Sequence, residues 1–251
     1  MITVKSIRTA SLKALSGTRN IPPLVILAPA LLVGSALILP LVYLSIRTFA
    51  TGESDVLDVL FRQRIADILG RTVVLVISVT IASTILAVPI AWLTTRTDIP
   101  FRRVWVVLSV LPLVIPTYVA GFVVVAALGP KGMLQKALEV TFGIDRLPDI
   151  HGFPGAFLTL TFLSFPYIVL TVRGAMLRID PAMEESSRSL GRGKWSTFAC
   201  VTLPLLRPGI TAGGLLVALY TLSDFGAVSL LRYETFTWAI FIQYESALDR
   251  T

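Results

Sequence analysis

Thr72-Val-Val-Leu-Val-Ile-Ser-Val-Thr-Ile-Ala-Ser-Thr-Ile-Leu-Ala-Val-Pro-Ile-Ala-Trp-Leu93 runs for 22 residues without a charged side chain. An α-helix of about 20 residues, rising 1.5 Å per residue, crosses the roughly 30 Å hydrocarbon core of a bilayer. Lipid offers no partner for backbone polar groups, so a run of this kind satisfies them internally as a helix. Four further apolar runs lie at Leu24–Ile46, Val104–Leu128, Gly155–Val172 and Gly209–Leu231, the fourth span (155–172) being the shortest. The composition agrees: 55% hydrophobic and 15% charged residues, with a mean hydropathy of +0.81, exclude a disordered chain and an ordinary soluble one. The expected fold is an all-α, polytopic integral membrane bundle of five spans.

The basic residues set its orientation. With the N-terminus inside, thirteen of the 22 Lys and Arg residues and four of the 15 acids fall on the cytoplasmic side, a net +9 against −2 outside. The basic pI is therefore read as topology and contact with anionic lipid, not nucleic-acid binding. Residues 1–22 form a basic cytoplasmic segment, and residues 23–251 the membrane domain. Ala28-Pro-Ala30 loosely imitates a cleavage site, but the apolar run around it is too long for a signal peptide and reads as an uncleaved anchor. One cysteine, Cys200, leaves no intrachain disulfide, and one histidine, His151 in an outer loop, is too few ligands for a metal site.

A charged island at 177–208 interrupts the last two spans. Asp180-Pro181 supplies an N-cap acceptor and a proline at the first helical position. Glu184 and Glu185 follow near the positive helix end, Arg188 lies four residues after Glu184, and Gly191 suits a left-handed stop. A short helix over 181–190 is expected. Trp195, Phe198, Ala199 and Thr202 recur at helical spacing, so a second short helix with one mostly apolar face should follow, with Leu203-Pro204 and Pro208-Gly209 redirecting the chain into the membrane. On local rules alone this is equally a solvated loop whose charges enforce topology.

Pro29, Pro40, Pro89, Pro112, Pro116 and Pro166 fall within spans, where each tends to kink a helix. Prolines are also simply commoner in membrane helices. Leu111-Pro-Leu-Val-Ile-Pro116-Thr-Tyr118 stands out, because two prolines four apart could break the third span and free carbonyls to line a cavity. Gly209, Gly213 and Gly214 permit close helix approach. Asp224 is the one acid inside a span, and is either a polar point on a translocation path or a packing hydrogen bond near the outer end.

The form Glu185-Ser-Ser-Arg-Ser-Leu-Gly191, nine residues, then Val201-Thr-Leu203-Pro204 resembles the E-A-A-x3-G-x9-I-x-L-P loop of ABC importer permeases. It departs from that pattern by Ser186 and Ser187 for two alanines and Val201 for isoleucine. Leu111-Pro-Leu-Val-Ile-Pro-Thr-Tyr-Val-Ala, Gly129-Pro-Lys-Gly-Met-Leu-Gln135, Gly152-Phe-Pro-Gly-Ala, Phe165-Pro-Tyr167 and Ser223-Asp-Phe-Gly226 are similar to stretches of the ferric-iron type of these MetI-like permeases. The resemblance covers nearly everything after Pro22. It implies a multi-pass subunit of the bacterial inner (plasma) membrane, served by an external or periplasmic substrate-binding protein, a second permease half and cytoplasmic ATPase subunits. It also implies that Glu185, Ser186, Ser187, Gly191, Val201, Leu203 and Pro204 dock on the ATPase, while Pro112, Pro116, Tyr118 and Asp224 are candidates for the path. In that family two such halves are commonly fused, and this chain looks like the first half without its last helix, since Trp238–Ile242 is too short to span. Ferric iron is the implied cargo, with thiamine, polyamine, phosphonate and sulfate permeases sharing most of these patterns.

No catalytic constellation is visible. Gly193-Lys194 would need glycine where Arg188 stands and Ser or Thr where Trp195 stands to form a phosphate loop. ATP and Mg2+ are thus expected on a separate ATPase and no cofactor on this chain. Two other classes remain in view: an ion-coupled transporter or channel, which would usually carry more intramembrane ionisable residues, and a membrane assembly protein that transports nothing.

Overall fold

The computed structural model of the chain describes residues 24–50, 63–130, 132–142 and 148–248. The basic segment 1–22 lies outside them. All regular structure among the described residues is helical, and five helical stretches are long and apolar enough to cross a membrane. The chain divides into two compact units between Arg62 and Gln63. The first contributes helix α1 (Leu24–Ala50), with Pro29 and Pro40 inside it. There the Ser35 and Ser45 hydroxyls donate to the Leu32 and Leu41 carbonyls, so neither is left bare in an apolar helix.

The second unit is built on α2 (Gln63–Arg96) and proceeds through α3 (Arg102–Val110), α4 (Thr117–Leu128), α5 (Met133–Phe142) and α6 (Phe153–Met176). Beyond these lie α7 (Pro181–Ser189), α8 (Lys194–Thr197), α9 (Leu203–Ser223), α10 (Gly226–Leu230) and α11 (Phe236–Leu248). On α2, Ile68, Thr72, Leu75, Val79, Ser83, Ala87, Ala91 and Thr94 are buried at intervals of three or four, a single stripe of a 3.6-residue helix. That stripe packs on α6, whose Ala156, Leu160, Ile168, Val172 and Met176 are fully buried. The Ser83 and Ser164 hydroxyls, 3.2 Å apart, join the two helices across this seam. The fourth span thus proves to be 24 residues long and the centre of the bundle.

α9 lies against α6 through its glycines. A Cβ on Gly213 would meet Ile168 Cα at 2.9 Å, and one on Gly209 would meet Ala175 Cβ at 2.9 Å. The close approach expected from their spacing is realised.

Two spans differ from the sequence expectation. The run 104–128 is not one helix: α3 passes into a tight 3-10 turn at Leu111–Val114, Ile115 is extended (φ −85°, ψ 121°), and α4 begins only after Pro116. A residue before proline is pushed out of the helical region, so Pro116 ends the turn. The run 209–231 is also displaced, because α9 starts at Leu203, ends at Ser223, and leaves Asp224 outside any helix. Pro208 sits within α9 and does not redirect it. At the end of the described chain α11 has 13 residues, about 20 Å at 1.5 Å each, short of a span.

The bundle has two distinct ends. At one, the Arg96 guanidinium donates to the Met176 and Ile179 carbonyls (3.3 and 3.0 Å), tying the C-terminal ends of α2 and α6 together. Arg102 caps α2 in the same way at Thr94 and Thr95. At the other end, the Gly152 N–H donates to Leu231 O (2.7 Å) and the Phe236 N–H to Thr72 Oγ1 (3.0 Å). There His151 lies against Asp149, whose carboxylate accepts from its backbone N–H (3.0 Å) and approaches its ring Nδ1 (2.6 Å). These bonds hold the Asp149 carboxyl below its ordinary pKa. The island 177–208 sits at the first end, with Arg96, Arg102, Arg178, Arg188, Arg192, Lys194 and Arg207.

Candidate functional site

The island folds as its local chemistry requires. Asp180 is extended (φ −64°, ψ 122°) and its carboxylate accepts from the Ala182 N–H at 2.9 Å, with Pro181 opening α7. At the other end Gly191 has φ +84°, its N–H donates to Arg188 O (2.9 Å), and the Arg192 N–H donates to Ser187 O (3.3 Å). These two bonds are the paired closure of a Schellman motif, which glycine adopts without a Cβ penalty. The chain turns through Gly193 into α8, and the Ser187 and Thr197 hydroxyls, 3.1 Å apart and buried, hold the two short helices together.

α8 then runs directly into the bundle. Phe198–Thr202 form a widened π-helical turn in which the Leu203 N–H reaches back to Phe198 O. In a regular α-helix the ring of Pro204 would collide with the Cys200 carbonyl four residues earlier, and the extra residue in this turn removes that collision. Where Leu203-Pro204 was expected to redirect the chain, the helix instead continues from the widened turn into α9. The widened turn also upsets the anticipated apolar face: Thr202 is buried, Phe198 half-buried, and Ala199 and Cys200 exposed. Trp92 of α2 stacks on Trp195 (centroids 6.3 Å) and meets Phe198 edge-on (5.8 Å).

Glu184, only 8% exposed, turns inward. It does not pair with Arg188; its Oε1 accepts from Thr202 Oγ1 at 2.9 Å and lies 3.5 Å from Arg96 Nε. The seven docking residues expected from sequence divide accordingly. Glu185, Ser186 and Gly191 are exposed around the end of α7, Ser187 is buried against Thr197, and Val201, Leu203 and Pro204 lie in or just after the widened turn. Beside the first group stand Leu190 and Trp195, 84% and 79% exposed. Sequence reasoning missed both as surface residues, although a leucine immediately before the glycine of a charged turn was the available signal.

The second group of candidates meets elsewhere. Pro112 lies in the 3-10 turn, Pro116 at the start of α4, and Tyr118 is exposed. Asp224 is not within a span helix but is buried in the break between α9 and α10. Its carboxylate accepts from the Ala227 and Val228 N–H groups (3.0 and 3.3 Å), and its carbonyl accepts from Thr237 Oγ1 (2.7 Å). Gly226 packs so closely that an added Cβ would meet the Tyr118 backbone nitrogen at 2.9 Å and Thr117 Oγ1. The breaks before α4 and after α9 thus pack on one another at Gly226, and Asp224 caps the short helix α10 that carries this contact. Asp224→Asn, which keeps an acceptor for the cap, is expected to leave stability nearly intact. Asp224→Ala should lower stability by about 1 to 2 kcal/mol, as lost caps do, measured by thermal unfolding in detergent.

Residues 83–247 match the family described as binding-protein-dependent transport system inner membrane component. The chain is 34% identical over 230 residues to the Fe(3+)-transport system permease protein FbpB 2 of Haemophilus influenzae, covering 92% of this chain and 42% of that protein. It is 35% identical over 137 residues to the molybdenum transport system permease protein ModB of Escherichia coli K12, covering 55% of this chain and 58% of the relative. It thus spans well under two thirds of either relative's length. A chain of a bacterial alginate ABC transporter, solved in complex with an alginate pentasaccharide-bound periplasmic protein, shares the fold at 17% identity and a TM-score of 0.68, over 91% of this chain and 86% of that one. The matched segment, which runs from the middle of α2 to the end of α11, shows that the chain belongs to the family of binding-protein-dependent transport system inner membrane components.

Proposed function

We propose that the chain is a transmembrane permease subunit of an ATP-driven ABC importer in a bacterial inner membrane. A separate cytoplasmic ATPase docks on the end of α7, an external binding protein delivers cargo, and a second permease half completes the pathway. The observation that carries this reading is the capped helix and glycine turn at the basic end. It offers an exposed face of Glu185, Ser186, Leu190, Gly191 and Trp195, backed by buried contacts to the bundle. Exposed apolar side chains rimmed by charge fit a protein partner better than water. Closure of the ATPase subunits would push on α7, and the unbroken path from α8 through the widened turn carries that push into α9. The close packing of Gly226 on Thr117 and Tyr118 links the chain after α9 onward to α4.

The proposed cargo is ferric iron, supported by 34% identity across 92% of the chain to an Fe(3+)-transport permease. Molybdate is the second reading, supported by 35% identity over 137 residues to a molybdenum transport permease. The test is to purify the complete permease from its native membrane, identify co-purifying ATPase, and measure uptake of labelled iron and molybdate into proteoliposomes with the cognate binding protein. The expected result is hydrolysis stimulated by the iron-loaded binding protein, with iron uptake. Stimulation by molybdate instead selects the second reading. Uptake driven by an ion gradient without ATP overturns both.

A further inference from the structure

We infer that Arg96 and Glu184 form a positioning tie that carries movement of the docking helix to α2 and α6, in parallel with the covalent route through α8 into α9. The inference rests on the docking reading above and names the internal linkage of that same site.

α2 is far from α7 in sequence, and nothing in the chain's connectivity makes it respond to a push on α7. The side chains supply that link. Arg96 is the last residue of α2, and its guanidinium donates to the carbonyls of Met176, the last residue of α6, and of Ile179, just before the cap of α7. The same guanidinium faces Glu184 at 3.5 Å, and Glu184 accepts from Thr202, the last residue of the widened turn leading into α9. One ion pair therefore touches α2, α6, α7 and the approach to α9. Both partners are largely shielded, with side chains 17% and 11% exposed, so solvent screening is weak.

Fold stability does not account for this choice of residues. Removing two charges from water offsets most of their attraction, and apolar side chains of similar volume would commonly hold the same four elements as well. A charge pair adds direction: one terminal nitrogen of the guanidinium is bonded to both carbonyls, and its buried Nε, which has no hydrogen-bond partner, faces the Glu184 carboxylate at ion-pair distance. Glu184 also points away from the exposed face of Glu185, Leu190 and Trp195, so the tie lies behind the docking surface without being part of it.

The test uses the complete importer purified with its ATPase and reconstituted in proteoliposomes, comparing Glu184→Gln and Arg96→Lys with the unaltered protein. The readout is cargo moved per ATP hydrolysed, normalised to folded complex, a ratio that simple loss of stability does not change. Glu184→Gln keeps an acceptor for Thr202 and removes the charge; Arg96→Lys keeps the charge and removes the guanidinium. In both, the ATPase is expected to co-purify as before while cargo per ATP falls at least about fivefold, the lower end of ordinary coupling between sites. If Glu184→Gln does not accumulate, Thr202→Val carries the same test, since it leaves the ion pair and deletes only the hydroxyl on Glu184; its expected fall is smaller. An unchanged ratio in the variants overturns the tie. Failure of the unaltered permease to hold any ATPase is a different result and overturns the docking reading.

Discussion

Gly191→Trp is expected to abolish ATP-driven uptake while leaving a folded chain in the membrane. Gly191 sits in the left-handed region at φ +84°, and no heavy atom lies within 4 Å of where its Cβ would be. A side chain there meets open space, so the damage to the fold is confined to backbone strain, about 1 to 2 kcal/mol for a non-glycine residue in that region. That leaves most of a typical stability intact. The indole, however, would stand on the exposed surface next to Leu190 and Arg192, where a docked partner has to approach the turn. Gly191→Asn separates the two effects, because asparagine tolerates the left-handed conformation and adds little bulk. It should retain most uptake, whereas the tryptophan variant should lose it and fail to retain the ATPase on purification. Normal uptake by Gly191→Trp, measured in proteoliposomes with binding protein and ATP, would remove the turn from the docking surface.

This contrast reflects how much of the site was written locally. Asp180, Pro181 and Gly191 act through their own backbone geometry and their nearest neighbours, and the helix they delimit, Pro181–Ser189, differs from the expected 181–190 by one residue. The break in the third span was likewise announced by Pro112 and Pro116. Other features depended on partners distant in the chain. Glu184 had an attractive neighbour at Arg188, four residues on, yet pairs with Arg96, because α7 lies across the end of α2. Pro204 and Pro208 carried the ordinary signal for redirection, but the extra residue of the π-helical turn accommodates Pro204 and the helix continues. Asp224 looked like an intramembrane charge because the apolar run does not stop there. Its role as a cap becomes visible only when Gly226 is seen against Thr117 and Tyr118. The cargo has no comparable signature in any side chain of the island, since a surface proposed to receive an ATPase does not touch what is transported.

Gly213→Leu is expected to destabilise the bundle strongly. Where α6 and α9 cross, a Cβ on residue 213 would already lie 2.9 Å from Ile168 Cα and 3.2 Å from Ile168 Cγ1, and against Thr171 Oγ1. Ile168 is fully buried in the central helix, so its backbone cannot step aside without disturbing the seam with α2. A leucine adds three more carbons to that collision and must pry the helices apart. Overpacking of a tight core costs about 1 to 3 kcal/mol and occasionally more, and this position belongs at the upper end because the obstacle is backbone. In lipid the separated helices regain no hydrophobic drive toward each other, since close packing itself supplies their association. A loss of about 3 kcal/mol corresponds to a fall in Tm of roughly 6 to 12 °C for a chain of this size. Gly70→Leu provides the control: Gly70 is exposed on α2 with nothing within 4 Å of its Cβ, so the same added bulk should leave Tm unchanged. Thermal unfolding of both variants in the same detergent decides the matter. If Gly213→Leu melts with the unaltered chain, α9 does not pack on α6 through its glycines, and the route by which a push on α7 reaches the bundle through α9 loses its support.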